Sequence, residues 1–262
     1  MKWRLYLFIF SVLFLSITAA GCGKKSATSS DRAAKEPAAP RPVTQTPAVN
    51  PEPEGIGSIR GRIISAGGAS TQEEVNSSAD PVCSAHGPIY SQEKVVSANG
   101  GVRYSFVYLK AGIKGNFPVP QQPVVVDQKG CAYEPHVMGL QVNQPLEILN
   151  SDSTLHNVHA IPQTNTPFNV GMPLQGMKSS KKFSRPEVMV KIKCDVHPWM
   201  SAYVGVLEHP FFSVTDENGS FVINNVPAGH YIIAFWHESF GTQEKEIDVL
   251  PSKEVQADFS IS

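Results

Sequence analysis

Charge is scarce in this chain, and what there is nearly cancels. Asp, Glu, Lys and Arg make up 17% of its 262 residues and leave a formal net charge of −1, so no field of one sign marks it as a partner of nucleic acid. No internal repeat is visible, and no stretch carries a convincing amphipathic helical period. No apolar run reaches the roughly 20 residues that a membrane-spanning helix needs. Cys-x-x-Cys-His does not occur, which excludes a covalently attached c-type haem. Turn chemistry is what the sequence has in quantity: 20 glycines and 21 prolines suit short strands joined by many turns, and the expected fold class is all-β.

The first segment stands apart from the folded part. Lys2 and Arg4 precede an apolar run from about residue 5 to residue 15, and the small residues Thr18-Ala19-Ala20-Gly21 lead into Cys22. That is an export signal. Its small-small-Cys ending resembles a bacterial lipobox, with Ala19 where an aliphatic residue is more usual. The resemblance implies a signal peptide over residues 1–21, lipidation of Cys22, and anchoring to a bacterial membrane facing the periplasm or cell surface. Residues 22–54 are rich in Pro, Ala and Ser and hold almost no large apolar side chain, so they cannot bury a core and are expected to form a disordered tether. At roughly 3 Å per extended residue such a tether spans some tens of ångströms, enough for a domain to swing between fixed partners.

With Cys22 consumed, Cys83, Cys131 and Cys194 remain, an odd number in an oxidising compartment. One thiol has another task. Two readings stay open for Cys83 and Cys131: a structural disulfide, or a second metal site using His86, His136 and Met138, which lie close to them in sequence.

Past the tether, residues 59–64 and 102–109 are expected as strands, with loop between them. Further strands are expected at 124–126, 136–140, 146–149, 158–161, 188–192 and 203–207, each bounded by turn residues. A meander of hairpins follows, with strands at 211–215, 221–223 and 231–236. Within it, Asp216-Glu217-Asn218-Gly219-Ser220-Phe221 and Pro227-Ala228-Gly229-His230-Tyr231 resemble the D-x-x-G-x-F and P-x-G-x-Y signature of carboxypeptidase regulatory-like (transthyretin-like) β-sandwich modules. Gly57-Ser58-Ile59-Arg60-Gly61-Arg62-Ile63 is similar to the opening strand of those modules, far upstream. The separation implies one sandwich from residues 55–112 with 209–262 and a second β-domain inserted as 113–208. The rival arrangement is two domains in simple succession.

The most informative run is Lys193-Cys194-Asp195-Val196-His197-Pro198-Trp199-Met200, which places a thiolate, an imidazole and a thioether on one short loop as C-x2-H-x2-M. A trigonal blue-copper site uses a Cys sulfur, two His nitrogens and a weak axial Met. The second imidazole is expected from an earlier strand, and the polar turn Ser151-Asp152-Ser153-Thr154-Leu155-His156-Asn157-Val158-His159 supplies it. His-Asn-Val-His followed by C-x2-H-P-aromatic-M resembles the amicyanins, small cupredoxins, over roughly residues 120–208, with Trp199 in place of their usual Phe. The resemblance implies an all-β fold: a cupredoxin Greek-key β-sandwich beside a smaller transthyretin-like one. It implies one type 1 copper held by His156, Cys194, His197 and Met200, and Asn157 tying the two ligand loops together by hydrogen bonding. Residues three apart in a strand face opposite sides, so only one of His156 and His159 can point at the site, and the resemblance selects His156.

Type 1 copper passes single electrons on a rigid scaffold and needs no substrate site. A binuclear site of the oxidase type needs two cysteines in the ligand loop, and paired H-x-H motifs of multicopper oxidases do not occur. The chain is therefore expected to be no enzyme but an electron carrier between an exported redox donor and acceptor. If His197 follows the family, its ring edge lies at an apolar surface patch with Pro198, Met172 and Pro173. The competing reading is a copper-sequestering or structural lipoprotein module without an electron-transfer role.

Overall fold

The computed structural model describes residues 54–262; the expected signal peptide, the lipidation residue Cys22 and all of the tether except Glu54 lie outside the described residues. Nearly all regular structure is β, which agrees with the composition. The first sheet is centred on β1 (Ile56–Ser65), whose inward positions recur every second residue at Ile59, Gly61, Ile63 and Ser65. It pairs antiparallel with β15 (Ser220–Pro227) and parallel with β18 (Glu254–Gln256) and β19 (Phe259–Ile261). A second sheet runs β14 (Phe212–Val214), β4 (Phe106–Ala111), β16 (Gly229–His237), β17 (Gly241–Val249). The two sheets enclose one buried cluster that includes Ile59, Ile63, Leu109, Phe221, Ile233 and Phe235.

The turn before β15 explains the D-x-x-G element. Asp216 Oδ1 accepts the N–H groups of Asn218 (2.8 Å) and Ser220 (2.9 Å), and Gly219 adopts φ +73°. A Cβ on Gly219 would stand 2.4 Å from the Ile63 carbonyl oxygen, so only glycine lets this turn lie against β1.

The remaining two larger sheets are built wholly from strands between Val124 and Leu207. One has the order β10 (Phe168–Met172), β9 (His156–Ile161), β12 (Glu187–Lys193), β13 (Ser201–Leu207), β7 (Val137–Gln141). The other runs β11 (Lys178–Lys181), β8 (Leu146–Asn150), β5 (Val124–Lys129), β6 (Ala132–Glu134). Their shared core includes Tyr133, Leu140, Ile148, Val158, Ile192 and Val204. The β5–β6 hairpin turns on Gly130 (φ +61°) and Cys131 (φ +56°), two left-handed residues of the kind that match strand twist in a two-residue loop.

The two sandwiches share a third buried cluster of Phe106, Tyr108, Val137, Tyr203, Leu207 and Ala234. At its centre Gly139 of β7 stands opposite Gly205 of β13 in parallel register. A Cβ on either would meet a ring of Phe212 or Phe106 at 2.3 Å. The glycine pair is thus a slot in one sheet that receives aromatic rings from the other.

The stretch between the first two expected strands is not simply loop. It holds β2 (Glu74–Val75), the five-residue helix α1 (Pro81–Ala85) and β3 (Ile89–Tyr90), and Val102 enters only an isolated bridge, so the following strand starts at Phe106. Cys83 of α1 is buried in the core of the sandwich formed by the later strands, joined there to Cys131 by a disulfide. The segment reads as loop in the sequence because it has no strand period; a covalent link and a cap hold it instead, and of the two readings open for Cys83 and Cys131 the structure has the disulfide. Among the described residues no helix is long and apolar enough to cross a membrane.

Candidate metal centre

The C-x2-H-x2-M motif occupies the connection from β12 to β13, and its backbone closes on itself. The Cys194 N–H donates to the Met200 carbonyl at 3.1 Å, the Met200 N–H donates to the His197 carbonyl at 3.0 Å, and the His197 N–H donates to Cys194 Sγ at 3.4 Å. These bonds turn the Cys194 side chain inward. His156 opens β9, whose register against β12 sets Lys193 opposite His159. The result is that Cys194 Sγ and one nitrogen from each of His156 and His197 lie within 4.8 Å of one another, all on buried residues. Cys194 is a free thiol, and Met200 is buried at the end of the loop.

The orientation of the two imidazoles is the most informative feature. His156 Nε2 faces Asp152 Oδ2 at 2.9 Å, and His197 Nε2 faces Asp80 Oδ2 at 3.0 Å. An ionised carboxylate only accepts, so both Nε2 atoms carry hydrogen. Both Nδ1 atoms are then lone-pair acceptors in the neutral rings, and they face each other at 2.9 Å. Two bare acceptors at that distance repel unless a proton or a cation stands with them. Burial pushes His156 below its ordinary pKa, which works against the proton.

Asp152 and Asp80 were not singled out from the sequence. Asp152 is buried, and its carboxylate also accepts the N–H groups of Gly130 and Cys131, each at 2.8 Å. Asp80 is the N-cap of α1: Oδ1 accepts from the Val82 N–H at 2.7 Å and the Cys83 N–H at 3.2 Å. Its Oδ2 accepts from the Thr154 hydroxyl at 2.7 Å as well as from His197. The Thr154 bond leads the interactions that hold the Asp80 carboxyl down to about 2. For Asp152 the signal was present four residues before His156 in the polar turn; for Asp80, 117 residues from His197, no sequence spacing could have given it.

Asn157 ties the start of β9 to the Cys194–Met200 loop. Its Oδ1 accepts the Asp195 N–H at 2.7 Å and the Cys194 thiol at 3.3 Å, while Nδ2 donates to Asn169 and to Asp195. Asp195, given no role from the sequence, also receives Lys193 Nζ and His159 Nδ1. Those bonds, Lys193 first, keep its carboxyl well below the usual range. His159 thus faces the rim, away from the His156–His197 pair. Trp199 packs against the core and donates Nε1–H to the Cys131 carbonyl at 3.0 Å.

Two expectations need correction. The His197 ring edge is not at an apolar surface: His197 is only 3% exposed, and Met172 is fully buried. Segment α1 accounts for this, since Asp80 sits on His197 Nε2 and Cys83 Sγ lies 3.7 Å from it. The reading of Cys83 and Cys131 as thiolate metal ligands also falls, because the disulfide consumes both. Its other residues go elsewhere: His136 Nδ1 donates to the Ser201 carbonyl at 2.9 Å and Nε2 faces Glu238, whereas His86 lies 3.7 Å from Asp152.

No protein-family model and no curated protein matches the chain. Solved structures do. A copper-containing nitrite reductase from Thermus scotoductus is 24% identical over 39% of this chain and 26% of its own length, at a TM-score of 0.32, so the match spans about a quarter of that enzyme. An amicyanin variant in its Cu(I) form is 22% identical over 34% of this chain and 85% of its own, at 0.30. A purple cupredoxin from Nitrosopumilus maritimus is 23% identical over 31% of this chain and 97% of its own, at 0.27.

Proposed function

We propose that this chain is an exported, lipid-anchored type 1 copper protein that carries single electrons between redox partner proteins, with copper held by His156, Cys194, His197 and Met200. The observation that carries the reading is the pair of Nδ1 atoms facing each other at 2.9 Å, each ring pinned by a carboxylate at Nε2, beside a buried free thiol. That donor set fits copper: two neutral imidazoles and a soft sulfur are the ligand types of such a site, and the carboxylate behind each imidazole orients it and raises its basicity. Bound copper would supply one-electron chemistry between its cupric and cuprous states. The chain's own part is to hold the ligands still. Loop closure from Cys194 to Met200 and the Asn157 tie to Asp195 limit rearrangement, and burial excludes water and substrate.

The division into a sandwich of residues 55–112 with 209–262 and an inserted copper domain of 113–208 belongs to the same proposal. It is supported by the strand membership of the sheets, with segment 74–90 reaching across to the inserted part. Export is supported by the residues ahead of Cys22 and by the Cys83–Cys131 disulfide, which suits an oxidising compartment. The test is spectroscopic. Copper-loaded protein is expected to absorb strongly in the red through its thiolate and to cycle reversibly, and Cys194→Ser is expected to abolish the band while copper still binds weakly. A colourless, redox-silent holoprotein would overturn the proposal and leave copper sequestration in its place.

A further inference from the structure

We infer that Asp80 is a positioning residue for the metal centre, delivered from outside the ligand-bearing strands by a stapled lid. The inference rests on the copper reading above. His197 is held on its outer side by Asp80 Oδ2 at 3.0 Å, and Asp80 is fixed independently of His197 by three other bonds: to the N–H groups of Val82 and Cys83 and to the Thr154 hydroxyl. Thr154 lies two residues before His156, so one carboxylate couples the turn that carries one imidazole to the ring of the other. The helix that presents Asp80 is itself anchored, because Cys83 is bonded to Cys131, whose own N–H is received by Asp152, the carboxylate behind His156. One short element thereby holds the outer face of His197 directly and is linked through Cys131 to the carboxylate on the outer face of His156.

Two consequences follow from charge and geometry. An acceptor on Nε2 fixes the His197 tautomer with Nδ1 bare and turned toward Nδ1 of His156. The negative charge also favours the more positive cupric state over the cuprous one. Pro81, Ser84, Ala85 and His86 are exposed around α1, so it is this segment that stands between His197 and solvent.

Asp80→Asn separates positioning from folding. Asn caps a helix as well as Asp does, so α1 keeps its start while the site loses the charge. In the full-length protein, the variant is expected to bind cupric ion roughly tenfold more weakly. With cuprous affinity unchanged, that corresponds to a midpoint potential higher by about 59 mV. Asp80→Glu is expected to recover part of the shift. A second measurement needs no metal: in long-range proton–nitrogen spectra of the apoprotein, His197 is expected to carry its hydrogen on Nε2 in the wild type and to lose that preference in Asp80→Ala. If wild-type protein forms a coloured copper site but Asp80→Asn leaves affinity and potential unchanged and Asp80→Ala leaves the tautomer unchanged, the inference is wrong and the copper reading stands. If wild type forms no coloured site while the tautomer follows Asp80, the copper reading fails and the orienting contact alone survives.

Discussion

At the scale of single residues, the same burial of histidine seen at the candidate metal centre leaves a mark on stability elsewhere. His209 and His237 are buried in the sandwich built on β1 and β4, and burial pushes both down to about 4. Each is neutral there: His237 Nε2 donates to the Arg103 carbonyl at 3.1 Å, and its Nδ1 accepts the Ser239 N–H at 3.1 Å. In the unfolded chain both return to about 6.5. Between those values the unfolded state binds more protons than the folded one, so the stability contributed by neutral burial is complete above about pH 6.5. It falls through the window and flattens below about pH 4. The slope per histidine is at most about 1.4 kcal/mol per pH unit. Urea midpoints of the apoprotein are expected to drop between pH 7 and pH 5, and the drop is expected to shrink in His237→Gln; an unchanged drop would remove His237 from the account.

At the scale of elements, the glycine slot between Gly139 and Gly205 decides how the two sandwiches meet. Gly205→Ala places a methyl group 2.3 Å from the Phe106 ring, and Phe106 is fully buried with no room to retreat. Overpacking of that kind costs about 1–3 kcal/mol. Thermal unfolding is expected to report the loss, and Phe106→Leu in the same chain is expected to return part of it. A Gly205→Ala protein as stable as wild type would show that the rings are not seated there. The strands beside this slot were legible in the sequence because alternation or an unbroken apolar run marks them: β7, β12 and β13 each carry buried Val, Ile or Leu. Others were invisible. Segment β17 reads GTQEKEIDV with only Ile247 and Val249 buried, and β11 reads KSSK; both pair on one side only, where polar residues face solvent and leave no period to detect. The C-x2-H-x2-M loop and His156 could be picked out for the opposite reason, since ligand chemistry is carried by residue type and close spacing. Asp80 could not, because its place depends on a disulfide and a helix cap joining distant parts of the chain.

At the scale of the whole molecule, chain order and spatial order diverge, and that has a consequence for autonomy. Strand β15 finds its partner in β1, and β16 lies between β17 and β4, so the C-terminal strands depend on two strands from the first half of the chain. Phe106 and Phe235, whose burial relies on both halves, have no partner sheet without them. A fragment comprising residues 209–262 lacks β1 and β4 and would expose the edges of β15 and β16 together with most of their apolar faces. It is expected to be unfolded or aggregated, with narrow amide dispersion and rapid digestion by protease. Residues 113–208 retain every strand of the sheets that carry the proposed metal ligands but lose Asp80 and the Cys83 staple. They are expected to fold less stably than the full chain and still to bind copper. A C-terminal fragment that gives a dispersed spectrum and resists protease would favour two domains in simple succession, because nothing in the first half of the chain would then be needed to complete the second sandwich.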